Sequence, residues 1–121
     1  MEPRLKLLTL PKGSVIYREG DGNNGKMYVV HDGIVTAKMT VQGREQVVYQ
    51  CTQGDIIGEV SFLTGEPRTA TCEVSTAEAH VYELTNETFE EMIAQDPKVA
   101  IKVIRSLSDR LRSVERRFEQ S

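Results

Sequence analysis

The sequence predicts a mainly β domain with helices at its C-terminal end, the β part forming a sandwich or barrel-like roll. Three observations carry that prediction. Seven short runs rich in Val, Ile, Thr and Tyr fill the first two-thirds of the 121-residue chain. Clusters of Gly, Asn, Asp and Pro separate most of them at intervals too short to hold the helix of a βαβ unit. Past residue 85 the apolar residues recur at spacings of three and four, the period of a helix.

The runs are Leu5–Leu10, Val15–Tyr17, Met27–His31, Ile34–Val41, Gln46–Cys51, Ala70–Val74 and Ala79–Leu84. Pro11-Lys12-Gly13, the stretch GDGNNG from Gly20 to Gly25, Asp32-Gly33, Gln42-Gly43 and Gln53-Gly54-Asp55 punctuate them. Gly and Asn tolerate positive φ and Asp bonds its own backbone, so these are turns with a mechanism. The triplets NNG and HDG read as the strongest hairpin signals.

Asn86 or Thr88 can cap a first helix running through Gln95, and Thr88 with Glu91 matches a capping box. Asp96-Pro97 then places an N-cap acid before an N1 proline and starts a second helix. In it Ala100, Ile104, Leu107, Leu111, Val114 and Phe118 form a heptad seam. Such a seam can pack on its own roll, where Val99, Ile101 and Val103 widen the apolar face, or pair with a second chain. The two uses can coexist, with a homodimer formed through Ile104, Leu107, Leu111, Val114 and Phe118 toward the C-terminal half. Seven Lys or Arg against three Asp or Glu from Lys98 onward make this helix basic, which reads as a solvated face.

The length fits one domain, with residues 1–85 as the roll and 86–121 as its C-terminal helices. A net charge of −3 gives no general case for nucleic acid or an anionic membrane. No apolar run reaches the ~18 residues of a membrane span, and MEPRLKLLTLPKG is too short and interrupted for a signal peptide. Cys51 and Cys72 lie in strand-like runs and read as reduced, buried thiols, with a disulfide or redox role as the alternative. The expected compartment is cytoplasmic. His31 and His80 lie in neither HxH nor HExxH, and there is no GxxxxGK[ST] or GxSxG, so the expectation is no metal and no enzyme.

The chemistry concentrates in IIGEVSFLTGEPRTATCEV, from Ile56 to Val74. Gly58 permits a tight turn and close approach of a ligand. The residues after it can form a helical turn whose first N–H groups lack internal partners. Arg68 offers a permanent, forked cation behind Pro67, Thr69 adds a hydroxyl, and Ala70 leaves its N–H unobstructed. Glu59 is an odd neighbour for phosphate alone, but it suits a ligand that also carries a neutral hydroxyl. One cation, several neutral donors and one acceptor match a monoanionic phosphate joined to a sugar. The residue types taken alone equally allow a surface ion pair between Glu59 and Arg68.

The order and spacing of GEVSFLTGEPRTAT resemble the phosphate-binding cassette of the cyclic-nucleotide-binding domains, in which nine residues also carry Glu to Arg. IYREGD resembles the family's glycine turn, ahead of MYVVHDGIV as a hairpin. The resemblance implies a β-roll of the jelly-roll type with a C-terminal hinge and lid helix, and cAMP or cGMP as ligand, cAMP favoured. The cassette would span residues 57–71, with Ile57, Gly58, Glu59, Val60, Ser61, Pro67, Arg68, Thr69 and Ala70 at the site. It implies that Gly58 and Ser61 give backbone N–H groups, Glu59 takes the ribose 2′-hydroxyl and Arg68 the cyclic phosphate. Thr69 and Ala70 would complete the phosphate cradle, and a hydroxyl at Thr69 can also reach a syn guanine.

Ile57 stands where the family often has Phe. The long last helix resembles the catabolite-activator branch, but after Arg110-Leu111 come Arg112, Ser113, Val114 and Glu115 rather than that branch's hydroxyl residues. The adenine contact is therefore not carried over, although Ser113, Arg112 or Arg116 could approach a base from the lid. The expected function is a regulatory sensor coupling ligand binding to movement of its last helix. The alternatives are the sensor half of a catabolite-activator-type regulator, without specific DNA binding by this chain alone, and a ligand-free interaction module.

Overall fold

The computed structural model describes residues 5–120, with side chains described for residues 5–112. Eight strands come first in outline: β1 (Lys6–Pro11), β2 (Val15–Tyr17), β3 (Lys26–Asp32), β4 (Val35–Val41), β5 (Arg44–Cys51) and β6 (Ile56–Ile57), then β7 (Thr71–Val74) and β8 (Glu78–Thr85). Between β6 and β7 lies the short helix α1 (Glu59–Thr64), and α2 (Asn86–Gln95) and α3 (Lys98–Gln120) follow β8. Two four-stranded sheets result, ordered β1-β8-β3-β6 and β2-β7-β4-β5, with antiparallel pairing throughout.

The apolar faces of the two sheets enclose one core, containing Tyr28, Val30, Val35, Cys51, Cys72 and Val81. Both cysteines are buried free thiols. A second cluster, Met27, Ile56, Phe62, Leu84, Phe89 and Val103, joins α1, α2 and α3 to the outer face of the β3–β8 sheet. Phe62 and Phe89 meet there edge to face, their ring centroids 5.6 Å apart. The short helix α1 and the C-terminal helices therefore share one apolar cluster. No helix among the described residues is long and apolar enough to cross a membrane.

Three local expectations need correction. NNG and HDG do not close hairpins: β2 pairs with β7 and β3 with β8, and Asp32-Gly33 carries the chain from one sheet to the other. The tight hairpin is β4–β5, where Gln42 (φ 53°) and Gly43 (φ 77°) supply two consecutive positive φ values. The cap of α2 is Thr85, whose side chain accepts from the N–H of Thr88, so Thr88 is three residues inside the boundary. At α3 the expectation holds, with Asp96 Oδ1 accepting from the N–H of Lys98 at 3.1 Å.

The apolar residues of α3 divide between two directions. Val99, Val103 and Leu107 pack into the second cluster, whereas Ile101, Ile104 and Leu111 are 47%, 60% and 59% exposed. Ile101 thus does not pack on the roll as expected. Leu107 follows Val103 by four residues and Ile104 by three, so the sequence pattern alone reads it into either stripe. The side chains of Val114 and Phe118 lie outside those described.

Candidate functional site

The cassette starts where β6 ends. Gly58 takes φ +82° and caps α1, turning the chain so that Glu59, Ser61 and Phe62 point inward while Val60 and Leu63 face outward. A Cβ built on Gly58 would lie 2.6 Å from Arg68 Nη1 and 3.2 Å from the Tyr17 ring. Gly58→Ala is therefore expected to lower the unfolding free energy by about 1–2 kcal/mol through the left-handed backbone alone. It should also displace the Arg68 guanidinium, and urea unfolding with and without ligand reads both effects.

Arg68 is buried at 3% exposure. Its Nη1 donates to the Gly58 carbonyl at 3.2 Å, and its Nη2 donates to Asn24 Oδ1 at 2.6 Å and to the Lys26 carbonyl at 2.8 Å. The guanidinium sits 4.3 Å from the centre of the Tyr17 ring, a cation–π contact. Its backbone is clasped to the β2–β3 loop, since Gly20 N–H donates to the Arg68 carbonyl and Arg68 N–H to that of Asp21. Asn23 Nδ2 donates to the Ser61 carbonyl, so the GDGNNG loop braces both the arginine and α1. A guanidinium has more N–H donors than these three acceptors consume, which leaves capacity for an incoming oxyanion.

Glu59 is fully buried and does not pair with Arg68. Its Oε1 accepts from Arg110 Nη1 of α3, while Oε2 has no hydrogen-bond partner, the one such buried side-chain oxygen or nitrogen among the described residues. Arg110 also donates from Nη2 to the Ile56 carbonyl and contacts Cys51 Sγ at 3.6 Å. Its guanidinium covers the Tyr49 ring, 4.4 Å from the centroid. Burial pushes the Cys51 thiol up to about 12 and also raises the Tyr49 phenol from its ordinary value, so both stay protonated.

These groups line a cavity of about 160 Å³: Tyr17, Tyr49, Gly58, Glu59, Val60, Ser61, Arg68, Thr69 and Arg110. Of the residues singled out in the sequence, Gly58, Glu59, Val60, Ser61, Arg68 and Thr69 meet there, with Thr69 exposed at its edge. Ile57 pairs with Tyr28 across the sheet and lies in the core. Ala70 is also in that core, Pro67 is exposed, and neither lines the cavity. The residues that sequence reading missed are Tyr17, Asn23, Asn24, Tyr49 and Arg110. Arg110 follows Leu107 by three residues and so lies on the same side of α3 as the Val99, Val103, Leu107 stripe, the one signal the sequence carried for it. Arg112 is exposed, and the side chains of Ser113 and Arg116 lie outside those described.

The histidines belong to a separate cluster. His31 and His80 both bond Asp32, at 2.9 and 2.6 Å, near the end of β3 opposite Lys26. The hydrogen bond that His80 donates to Asp32 raises His80, and the bonds that Asp32 accepts from His80, then His31, lower Asp32. A raised histidine contributes stability fully below its unfolded pKa near ~6.5, lost as pH rises through its folded value. A lowered aspartate contributes above its unfolded value near ~3.9, lost as pH falls through the folded one. The difference in Tm between wild type and His80→Gln should therefore be largest near pH ~5–6 and shrink by pH ~8, which melts across that range would read.

A cyclic nucleotide-binding domain family model matches residues 7–96. The CRP-like cAMP-activated global transcriptional regulator of Mycobacterium tuberculosis is 26% identical over 110 residues, 90% of this chain and 48% of that protein. The crystal structure of Thermus thermophilus catabolite activator protein superposes with a TM-score of 0.82 at 25% identity, covering 96% of this chain and 54% of that one. The regulatory domain of Toxoplasma gondii PKA, crystallised with cAMP, does so with a TM-score of 0.66 at 28% identity, covering 71% of this chain and 32% of that one. The chain thus spans about half the length of the M. tuberculosis regulator. With the two-sheet roll, the left-handed Gly58 and the Glu59–Arg68 spacing gathered around one cavity, the match over residues 7–96 places the chain in the cyclic nucleotide-binding domain family.

Proposed function

We propose that this chain is a non-enzymatic regulatory module that binds a 3′,5′-cyclic nucleotide, cAMP in preference to cGMP, and couples it to the position of α3. The observation that carries the reading is Glu59 Oε2, a fully buried carboxylate oxygen without a partner in the same cavity as Arg68. Leaving such an oxygen unmatched costs ~1–3 kcal/mol or more, which a ligand hydroxyl would offset. Arg68 supplies the cation for the phosphate, and Thr69 adds a hydroxyl at the cavity edge. The names of the M. tuberculosis and T. gondii proteins, both tied to cAMP, support adenine over guanine.

Coupling to α3 follows from the second oxygen. Arg110 holds Glu59 from α3, so a sugar hydroxyl arriving at the same carboxylate changes what that helix gains by staying docked. The ligand shifts the helix only by its differential affinity for the two positions. A second reading, the sensor half of a catabolite-activator-type regulator, is favoured by the coverage of 90% of this chain against 48% of the M. tuberculosis protein. In that reading the outward Ile104 and Leu111, with Val114 and Phe118 farther along α3, supply a homodimer seam, and Leu107 stays on the roll.

Calorimetric titration with cAMP, cGMP and 2′-deoxy-cAMP tests the reading. Micromolar or tighter binding of cAMP is expected, with the deoxy analogue weaker by about 10–100-fold because Glu59 loses its donor. Equal affinity for cAMP and its deoxy analogue would remove Glu59 from the sugar. Absence of heat and of any thermal shift at millimolar cyclic nucleotide would remove the reading itself.

A further inference from the structure

Tyr17 reaches the cavity from β2, and the sugar and phosphate contacts proposed above leave it without a task. An irregularity of the strand aims it there. Val15 stands opposite Glu73 and Tyr17 opposite Cys72, so Ile16 is the extra residue of a bulge. Strict alternation from Val15 would set Tyr17 on the face of the partly exposed Glu73. The bulge sets it instead on the face of Cys72, which is fully buried, and Tyr17 itself is 9% exposed.

Three groups converge at that ring. A Cβ on Gly58 would lie 3.2 Å from Tyr17 Cε2, 3.3 Å from Tyr17 Oη and 2.6 Å from Arg68 Nη1. Ring, guanidinium and the start of α1 therefore meet at one point, and a glycine leaves the room for it. The guanidinium lies over the ring, 4.3 Å from its centroid. Its two short bonds, 2.6 Å to Asn24 Oδ1 and 2.8 Å to the Lys26 carbonyl, both leave Nη2, while the bond from Nη1 to the Gly58 carbonyl is 3.2 Å. The ion is thus held most tightly at one nitrogen, about which a flat group can tilt. A ring face against it limits that tilt, and the N–H donors of a guanidinium lie in its plane. All three acceptors are neutral, and burial raises the Tyr17 phenol, so the ring is neutral too. Tyr17 steadies the cation without cancelling its charge.

We propose that Tyr17 is a positioning residue: its ring sets the plane of the Arg68 guanidinium, and thereby which exocyclic oxygen of a cyclic phosphate accepts from it. This rests on the cyclic-nucleotide reading above and adds to it a residue outside the 57–71 stretch. The two exocyclic oxygens of a cyclic phosphate share one negative charge and differ only in direction. A guanidinium free to tilt would follow either of them. A donor plane fixed against α1 meets one and not the other, so the selection between them reads the role of the ring.

The test is calorimetric titration of the whole chain with cAMP and with its two phosphorothioate diastereomers, in which sulfur, a weak acceptor, replaces one or the other exocyclic oxygen. Wild type should prefer one diastereomer by about tenfold or more. Tyr17→Phe keeps the ring and should keep that ratio. Tyr17→Leu should bring the ratio close to one and weaken cAMP by about tenfold. Where Tyr17→Leu does not fold, wild type supplies a second measurement by nuclear magnetic resonance. The guanidinium protons of Arg68, assigned by their loss in Arg68→Lys, should lie upfield of ordinary arginine values through the Tyr17 ring current, and stay there when cAMP binds. Equal weakening of both diastereomers in a folded Tyr17→Leu, no diastereomer preference in a wild type that binds cAMP, or Arg68 protons at ordinary shifts overturns the positioning role and leaves cyclic-nucleotide binding intact. No binding of cAMP or of either analogue to wild type overturns both.

Discussion

Replacing Arg110 with methionine lowers the unfolding free energy by about 3 kcal/mol, because Glu59 is then a fully buried carboxylate with no partner on either oxygen. For a domain of this size that is a fall in Tm of roughly 10 °C or more. The size of the effect comes from the orphaned charge, and a companion variant tests that cause. Glu59→Gln combined with Arg110→Met removes the charge together with its partner, and most of the lost stability should return. Urea unfolding of the wild type, both single variants and the double variant closes the cycle, with a coupling energy well outside experimental error expected. Additive effects of the two substitutions would mean that the pair does not act as a unit, and α3 would then lack the link to the site proposed above.

This pair also marks the boundary of what the sequence made legible. The strands were readable because their residues and their turns agree: Val, Ile, Thr and Tyr in short runs, with Gly, Asn or Asp between most of them. Only β6 escaped, since Ile56–Ile57 is two residues long and carries no pattern. The cassette was readable because its chemistry lies within one continuous stretch, whose order and spacing resemble those of the family's cassette.

What was not legible depends on which sheet a strand joins. NNG looked like a hairpin, yet the loop connects strands in different sheets, and its asparagines serve as acceptor and donor for Arg68 and α1. Tyr49 looked like ordinary strand composition, and only the packing of α3 brings Arg110 over its ring at the cavity. The ion pair of Glu59 with Arg68 that the residue types alone allowed is not formed, and Glu59 pairs with Arg110 instead, for a comparable reason. Arg68 is taken up by backbone and amide oxygens from the β2–β3 loop and Gly58, and the carboxylate is met by a helix fifty-one residues later.

With Arg68 replaced by alanine, cAMP affinity is expected to fall more than a hundredfold, equivalent to about 3 kcal/mol. The argument has two parts. The guanidinium is a buried cation at the cavity wall, the group proposed above to meet the phosphate, and a buried charge-assisted hydrogen bond is among the strongest single contacts available. It also fixes the shape of the site before ligand arrives, since the carbonyls of Gly58 and Lys26 and the amide oxygen of Asn24 all accept from it. Alanine removes both functions, so the ligand-free protein should also melt at a lower temperature. Arg68→Lys separates them: the charge stays, but one ammonium cannot reproduce the fork that spans these acceptors. The lysine variant should therefore lose stability nearly as alanine does while recovering part of the affinity. The reading comes from melts with and without cAMP, because a ligand bound only by the folded state stabilises it by RT ln(1 + [L]/Kd). If the alanine variant kept the full cAMP-induced rise in Tm, the phosphate would have to bind elsewhere, and Arg68 would be a brace for the β2–β3 loop and nothing more.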